Sequence, residues 1–397
     1  MMDVVIDGIA RKTSVSYSNR PSIYPDNGSL EKDYVVDRYL TKGFMPNAPF
    51  VTKSTPIVAF GSCFANNISN HLDTRGYNVL TKKDNKAYVT AMGDGIVHTS
   101  AIRQQFEWAW ENSFPTEALW EGYDHEEFGY SEEARLDTKK LFDTAEVFII
   151  TLGLSEIWYD EPTGEVFWRT PPKGKLDPSR HKFRVATFTE TKENIYAVRA
   201  LIEKYNPQAK VVITVSPIPL AASFRPVSCL SANAASKSII RAAVDEFYRE
   251  TKDLDPNLYY FPSYDIVLYA FDNQFVPDRR HIVKPVLDFN MKIFERYFCT
   301  PGINDADLLT SFRDAQAFGR KAAKRGPQSV EKFFAAKASR RTEAVEARKE
   351  TRSAERQARR QARIEARRKL PPSPDRLQRL EARRAKKLEA ASISAAD

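Results

Sequence analysis

The sequence has few of the residues that build disulfide frameworks or metal centres. Its three cysteines, Cys63, Cys229 and Cys299, are too few and too scattered for a disulfide scaffold or a zinc site. Its five histidines show no paired spacing, which argues against a dedicated metal cluster. No apolar run reaches the length of about 18 residues that a membrane-spanning helix needs. We therefore expect a protein of the reducing cytoplasm that uses no metal or other cofactor.

Positive charge is concentrated at one end of the chain. The 397 residues include 60 Lys plus Arg and 52 Asp plus Glu, which gives a net charge of +8. Residues 331–397 hold 20 of these bases and 10 of the acids, a net charge of +10, so the first 330 residues carry 40 bases, 42 acids and a net charge of −2. The basic character therefore does not make the body a nucleic-acid enzyme.

The basic tail is rich in Ala, Arg, Glu and Lys, which are strong helix formers, and has too few large apolar residues for a coiled-coil seam. It is either a solvated helical or disordered segment, or an electrostatic tether to RNA, anionic lipid or an acidic polysaccharide. The composition predicts an N-terminal extension at 1–50, a catalytic domain at 51–300, a linker at 301–330 and the tail at 331–397.

Apolar runs alternate with helical patterns through the body. Strands are predicted at 57–60, 147–152, 211–215 and 258–261, and helices at 65–75, 191–205, 232–251 and 283–298. Continuous apolar strands separated by helices indicate a parallel sheet covered on both faces. The pattern therefore predicts an α/β fold, a three-layer αβα sandwich with a central parallel sheet. Active sites in such folds lie at the carboxyl ends of the strands.

One of these strand ends carries a candidate nucleophile. Ser62 lies in the turn Gly61-Ser62-Cys63-Phe64-Ala65, between a strand and a helix. Backbone N–H groups at the start of the helix can bind an anion there, which suits a nucleophilic serine. The position equally suits an ordinary helix N-cap. Cys63 is a rival nucleophile, which we expect to face the core if Ser62 faces the cleft.

A serine nucleophile needs a base, and Asp278 and His281 can supply one. A carboxylate three residues before a histidine can bind one ring nitrogen and leave the other facing the serine. The alternative is a pair of ordinary surface residues. Ser155 follows another predicted strand, and its side chain points either into the oxyanion site or caps a helix. The polar segment 160–184 is expected to be a long loop that forms a lid or substrate groove.

The turn around Ser62, the Asp278 and His281 pair and the α/β pattern together resemble the GSCFA family, a branch of the SGNH (GDSL-like) hydrolases. The resemblance spans about residues 56–298. It implies an SGNH-hydrolase or flavodoxin-like fold, with Ser62 as nucleophile, His281 as general base and Asp278 as its orienting acid. It also implies that the backbone N–H of Gly95 binds the oxyanion.

The chain departs from the SGNH pattern at Ser155, which stands where these enzymes have the oxyanion-hole asparagine. Loss of one such donor typically costs about 2.7–4 kcal/mol of transition-state stabilisation. Arg103, on the helix predicted after Gly95, is a candidate substrate-binding or oxyanion residue. Other nearby candidates for a replacement donor are Asp94, His98, Thr99 and Gln104.

The resemblance implies an esterase or O-acyltransferase that acts on O-acyl esters of a carbohydrate or polysaccharide through an acyl-enzyme on Ser62. Water as the acceptor gives hydrolysis, and a sugar hydroxyl gives transfer. The alternative is a non-catalytic binding protein whose basic tail binds a polyanion. The expected partner of the body is an acylated small molecule or carbohydrate, and the sequence leaves the oligomeric state open.

Overall fold

A computed structural model describes residues 2–6, 9–13, 22–91, 95–116, 130–171, 174–322, 331–336, 338–339 and 343. Its strands are β1 Met2–Ile6, β2 Ile9–Thr13, β3 Ile57–Phe60, β4 Val147–Leu152, β5 Glu156–Asp160, β6 His181–Val185, β7 Lys210–Val215 and β8 Leu258–Phe261. Its α-helices are α1 Asn27–Leu30, α2 Cys63–Thr74, α3 Tyr88–Ala91, α4 Thr99–Glu111, α5 Glu132–Thr144, α6 Phe188–Tyr205, α7 Cys229–Thr251, α8 Ser263–Tyr269, α9 Lys284–Phe298 and α10 Asp305–Ala322. The chain divides into two compact units, Met1–Lys324 and Arg325–Asp397.

The central sheet has four parallel strands in the order β3–β4–β7–β8. The register places Phe60 beside Ile150 and Ile150 beside Ile213, so the carboxyl ends of these strands share one edge. A parallel bridge between Ile57 and Val79 extends the pairing beyond β3. With that bridge counted as an edge strand, the order is the doubly wound 2-1-3-4-5 pattern. The predicted α/β fold with a central parallel sheet is confirmed.

Both faces of the sheet are covered, because alternate side chains of each strand enter two separate cores. Every residue of β3 and β4 is buried. On one face Phe60 and Phe148 pack with residues of α4, α5, α6 and α7. On the other face Ala59 and Ile149 pack with residues of α2, α8, α9 and α10. This two-sided burial is why the strands are continuous apolar runs rather than alternating ones.

Strands β5 and β6 form an antiparallel hairpin outside the central sheet. The Arg180 guanidinium donates two hydrogen bonds of 2.9 Å to the fully buried Asp160 carboxylate and so ties the hairpin together. The prediction of a long loop at 160–184 was wrong at both ends, because Asp160 ends β5 and residues 181–184 belong to β6. The polar residues there pair across the two strands. The hairpin has a small core of its own, made by Ile157, Val166 and Ala186.

The segment 22–50, within the predicted N-terminal extension, packs on the body of the first unit. Val35 and Val36 are buried in the core on the α9 side of the sheet. The Phe50 ring lies 4.8 Å from the Tyr259 ring and 5.8 Å from the Phe298 ring. These contacts connect the chain before β3 to the far edge of the sheet and to the end of α9.

The segment 301–330, which the composition predicts to be a linker, contains helix α10. One face of α10 packs against α9 and buries Leu308, Phe312 and Ala315. The Phe312 ring lies 5.1 Å from the Phe289 ring of α9. Acidic residues in the first turn and basic residues in the last turn suit the helix dipole. The first unit therefore extends beyond residue 300.

In the second unit, residues 331–336 are helical, and Ser339 Oγ donates a 2.8 Å hydrogen bond to Glu343 Oε1. Almost all of the basic tail lies outside the described residues. In the part of the chain that the structure describes, no helix has the length and apolar character needed to cross a membrane.

Candidate active site

Ser62 lies where β3 ends and α2 begins, at the carboxyl edge of the sheet. It is the N-cap of α2, with φ −108° and ψ 173°, and its Oγ accepts a 3.1 Å hydrogen bond from Phe64 N. The residue is 5% exposed and lines a cavity of about 400 Å³. The helix N-terminus favours negative charge at this point. Ser62 is thus both a helix cap and a cavity residue, the two alternatives that the sequence leaves open.

Gly61 makes the turn before Ser62 possible. Its φ of +130° is a conformation that residues with a side chain rarely adopt. A Cβ at this position would lie 2.1 Å from the carbonyl oxygen of Thr151 in β4. The turn therefore packs directly on the neighbouring strand, and this contact sets the position of Ser62 at the sheet edge.

The cavity beside Ser62 has the size of a small-molecule site. Segments that follow β3, β4 and β7 contribute to its wall, as expected for the carboxyl edge of a parallel sheet. The hairpin and the chain before α4 complete it. The described residues that line it include Ser62, Cys63, Gly95, Val97, His98, Gly153, Glu156, Trp158, Trp168, Arg169, Ser216 and Arg280.

Cys63 lines the same cavity as Ser62. It is half-buried and also packs against the core on the α9 side of the sheet. The expected packing of Cys63 against the core is observed, and the residue also contributes to the cavity wall. Both candidate nucleophiles therefore have access to the cavity, and an experiment must separate them.

Asp278 and His281 are held together by a tight turn. Asp278 Oδ2 lies 2.7 Å from His281 Nδ1, and its Oδ1 accepts hydrogen bonds of 3.0 Å from the backbone N–H groups of Arg280 and His281. Arg279 has φ +57°, a left-handed conformation that brings the chain back on itself. With the carboxylate on Nδ1, Nε2 of His281 is the nitrogen available to take a proton.

The structure brings Ser62 and Gly95 to one cavity, and Arg280, between Asp278 and His281, lines the same cavity. The Asp278 side chain is 10% exposed and that of His281 is 48% exposed. Among the described residues no hydrogen bond joins Ser62 Oγ to His281. Asp278 and His281 are not among the described residues that line the cavity.

Ser155 does not lie among the described residues that line the cavity. Its backbone N–H and its hydroxyl both donate to Ser236 Oγ of α7, at 2.8 and 3.2 Å, and it is 2% exposed. The Ser155 side chain thus links the turn between β4 and β5 to α7.

We expect Ser155→Ala to change kcat less than threefold and to lower the free energy of unfolding by about 1 kcal/mol, the value of one buried hydrogen bond. Ser236→Ala removes this bond and also the one from the Ser155 backbone N–H, so the double variant should be less destabilised than the sum of the two single variants. Urea unfolding and ester hydrolysis of the three variants test this. A loss of kcat above tenfold in Ser155→Ala, without such a loss in Ser236→Ala, would indicate that Ser155 acts at the oxyanion site.

Arg103 is also placed away from the cavity. Its Nε donates a 2.7 Å hydrogen bond to Glu107 of α4, and its Nη1 lies 3.4 Å from Asn194 of α6. These bonds hold the guanidinium between α4 and α6, so the structure gives no support to a role at the oxyanion. Gln104 and His98 instead bind the backbone of the segment 166–168. Asp94 lies outside the described residues.

Lys237, a buried lysine under the cavity, is not among the site residues predicted from the sequence. Its Nζ donates hydrogen bonds of 2.6 Å to Gly153 O and 2.7 Å to Ser216 O, and the residue is 2% exposed. Gly153 and Ser216 both line the cavity and follow β4 and β7. Burial, helped by the positive charge of Arg280, lowers the pKa of Lys237 to about 7. A neutral amine has two N–H groups, enough for both carbonyls.

This pKa makes stability depend on pH. Between pH 7 and about 10.4 the unfolded chain binds a proton at Lys237 that the folded chain has released, so the contribution of Lys237 to the free energy of unfolding rises with pH. We expect the difference in free energy of unfolding between wild type and Lys237→Met to shift in favour of wild type by about 1 kcal/mol per pH unit over this range. Urea unfolding at pH 7.5 and 9.5 measures it, with Lys252→Met as the exposed control. A constant difference would mean that the lysine keeps its proton.

Together, the fold and the serine at its strand–turn–helix edge define a three-layer α/β protein with a hydrolase-like architecture. The chain belongs to the GSCFA family, whose model matches residues 56–294. The family expected from the turn around Ser62 is thus confirmed, and with it the placement among SGNH (GDSL-like) proteins. No curated protein matches the chain. Over the described residues, no group of three or more His, Cys, Asp or Glu side chains is arranged to hold a metal ion.

Proposed function

We propose that this chain is a serine hydrolase or O-acyltransferase of SGNH type, which acts on O-acyl esters through an acyl-enzyme on Ser62. The observation that carries the proposal is the 2.7 Å contact between Asp278 and His281, on the turn whose Arg280 lines the cavity that holds Ser62. A carboxylate on Nδ1 fixes the tautomer that leaves Nε2 ready to accept a proton.

In the proposed reaction, Ser62 Oγ attacks the ester carbonyl while His281 Nε2 takes its proton. The resulting imidazolium is stabilised by the Asp278 carboxylate. Backbone N–H groups near Ser62 and Gly95 bind the oxyanion of the tetrahedral intermediate. His281 then gives its proton to the departing alcohol. Attack on the acyl-enzyme by water completes hydrolysis, and attack by a sugar hydroxyl completes acyl transfer.

The cavity wall favours a substrate that combines a flat apolar face with hydrogen-bond acceptors. Trp158 lines the cavity, and its buried Nε1–H has no hydrogen-bond partner among the described residues. The Trp158 ring packs edge-on against Phe224, 5.0 Å away, which is 60% exposed. A pyranose offers both features, since its C–H face packs on aromatic rings and its oxygens accept hydrogen bonds. These features support an acylated carbohydrate as substrate.

Labelling with a fluorophosphonate tests the nucleophile. We expect wild type to take up one probe per chain on the peptide that contains Ser62. Ser62→Ala should lose the label, and Cys63→Ala should keep it. Label lost only in Cys63→Ala would assign the nucleophile to the cysteine. Label at neither residue, in protein that is folded by circular dichroism, would contradict an acyl-enzyme mechanism.

A further inference from the structure

Arg169 lies against Gly95, the glycine proposed to bind the oxyanion. A Cβ built on Gly95 would lie 3.1 Å from Arg169 Cζ and 3.2 Å from Nη1, so the guanidinium lies directly against this glycine. Arg169 also lines the cavity that holds Ser62. A cationic group with five N–H donors is thus placed next to the glycine whose backbone N–H is proposed to bind the oxyanion.

The chain that leads to Arg169 is held firmly in place. Trp168 is 1% exposed, and its ring packs 5.3 Å from that of Trp108 in α4. Gln104 Nε2 donates a 3.0 Å hydrogen bond to Val166 O. His98 accepts a 3.1 Å bond from Ala101 N at Nδ1, and its ring also hydrogen-bonds to the backbone at Phe167 and Trp168.

Burial lowers the pKa of His98 to about 4, so its ring is neutral at pH 7. With Nδ1 accepting from the helix, Nε2 carries the hydrogen that binds the segment before Arg169. Two side chains of the α4 region therefore fix this backbone, and an arginine anchored in this way loses little freedom when it binds. Such preorganisation is what gives an oxyanion donor its effect.

We propose that Arg169 is a catalytic residue that donates to the oxyanion of the tetrahedral intermediate, in the role that the asparagine has in other SGNH enzymes. The inference rests on the proposed function. Ser155, at the position of that asparagine, is held by Ser236 and does not line the cavity. The guanidinium can keep its other contacts while one N–H turns to the new charge.

The step balances without a co-reactant. A bond forms between Ser62 Oγ and the carbonyl carbon, the π electron pair of the carbonyl moves to its oxygen, and the Ser62 proton passes to His281 Nε2. Arg169 donates hydrogen bonds and keeps all its protons. When the C–O bond to the leaving alcohol breaks, the electron pair returns from the oxyanion and the alcohol takes the proton from His281.

Steady-state hydrolysis of p-nitrophenyl acetate, a neutral ester, tests the role. We expect Arg169→Gln to lower kcat by about 100-fold or more with little change in KM, as for loss of one oxyanion donor. Added guanidinium ion should restore part of the activity of Arg169→Ala. Arg249→Gln, an exposed arginine of α7 that pairs with Asp245, is the matched control. Melting temperatures show whether each variant folds.

A coupling experiment separates catalysis from a structural role. Gly95→Ala keeps the backbone N–H but crowds the guanidinium, so its loss of kcat should disappear in the Arg169→Ala background. Losses of kcat that are additive in free energy for Gly95→Ala and Arg169→Ala would overturn the proposal. A rise in KM with unchanged kcat in Arg169→Gln would also overturn it, because that result marks a residue that binds an anionic group of the substrate. If Ser62→Ala is inactive while Arg169→Gln is fully active, the inference fails and the proposed function stands. Wild-type activity that is independent of Ser62 would overturn both.

Discussion

Replacement of Ser62 by alanine is expected to lower kcat for ester hydrolysis by about 10⁶-fold, the loss seen when a serine nucleophile that acts with a histidine is removed. His281→Ala should cost about as much, because neither residue forms the acyl-enzyme without the other. The double variant should therefore be no slower than Ser62→Ala. Asp278→Asn should cost about 10⁴-fold, since the amide favours the wrong imidazole tautomer.

The measurement is kcat on p-nitrophenyl acetate for the single and double variants, with Ser113→Ala as a control at an exposed serine. Losses that multiply in the double variant would show that Ser62 and His281 do not act as a unit. Activity within tenfold of wild type in Ser62→Ala, together with loss of activity in Cys63→Ala, would identify Cys63 as the nucleophile.

Gly61→Ala is expected to give the largest loss of stability. A methyl group there would lie 2.1 Å from the Thr151 carbonyl oxygen, so the turn or β4 must move, and φ of +130° adds backbone strain. We expect a loss of more than about 3 kcal/mol in the free energy of unfolding, a large part of the stability of most domains.

Gly43→Ala is the matched control for this effect. Gly43 also has positive φ, +82°, but a Cβ there would meet nothing within 4 Å. Its substitution therefore measures backbone strain alone, about 1 kcal/mol. Urea unfolding of both variants gives the difference, which combines the cost of the contact with β4 and the greater backbone strain at the φ of Gly61. Equal losses would mean that the turn yields easily and does not set the position of Ser62.

The central strands could be predicted to within one residue, since each is a continuous apolar run buried on both faces. The hairpin and α10 could not. Local sequence patterns assign the polar residues Asp160 and Arg180 to a loop. Their pairing across the hairpin depends on a tertiary contact, which a local pattern does not contain. In α10 the apolar residues Leu308, Phe312 and Ala315 do have helical spacing, but charged neighbours mask it.

In the candidate site, contacts between residues close in sequence could be predicted, and contacts between residues far apart in sequence could not. The hydrogen bond between Asp278 and His281 joins residues three apart, so spacing indicates it. Arg169 meets Gly95 only because the hairpin segment folds back over α4. Lys237 had one available signal: it lies three residues before Ile240, on the apolar face of α7 where a lysine is out of place.

The separate small core of the β5–β6 hairpin has a consequence for how this architecture can change. Glu156, Ile157 and Trp158 of the hairpin all line the cavity, and Ile157 also packs in the small core of the hairpin, apart from both cores of the sheet. This part of the cavity wall thus has a small core of its own, while the segment 166–168 joins the hairpin to α4. Changes in the residues of this small core can therefore reshape one side of the cavity, while the four-stranded sheet keeps its own two cores.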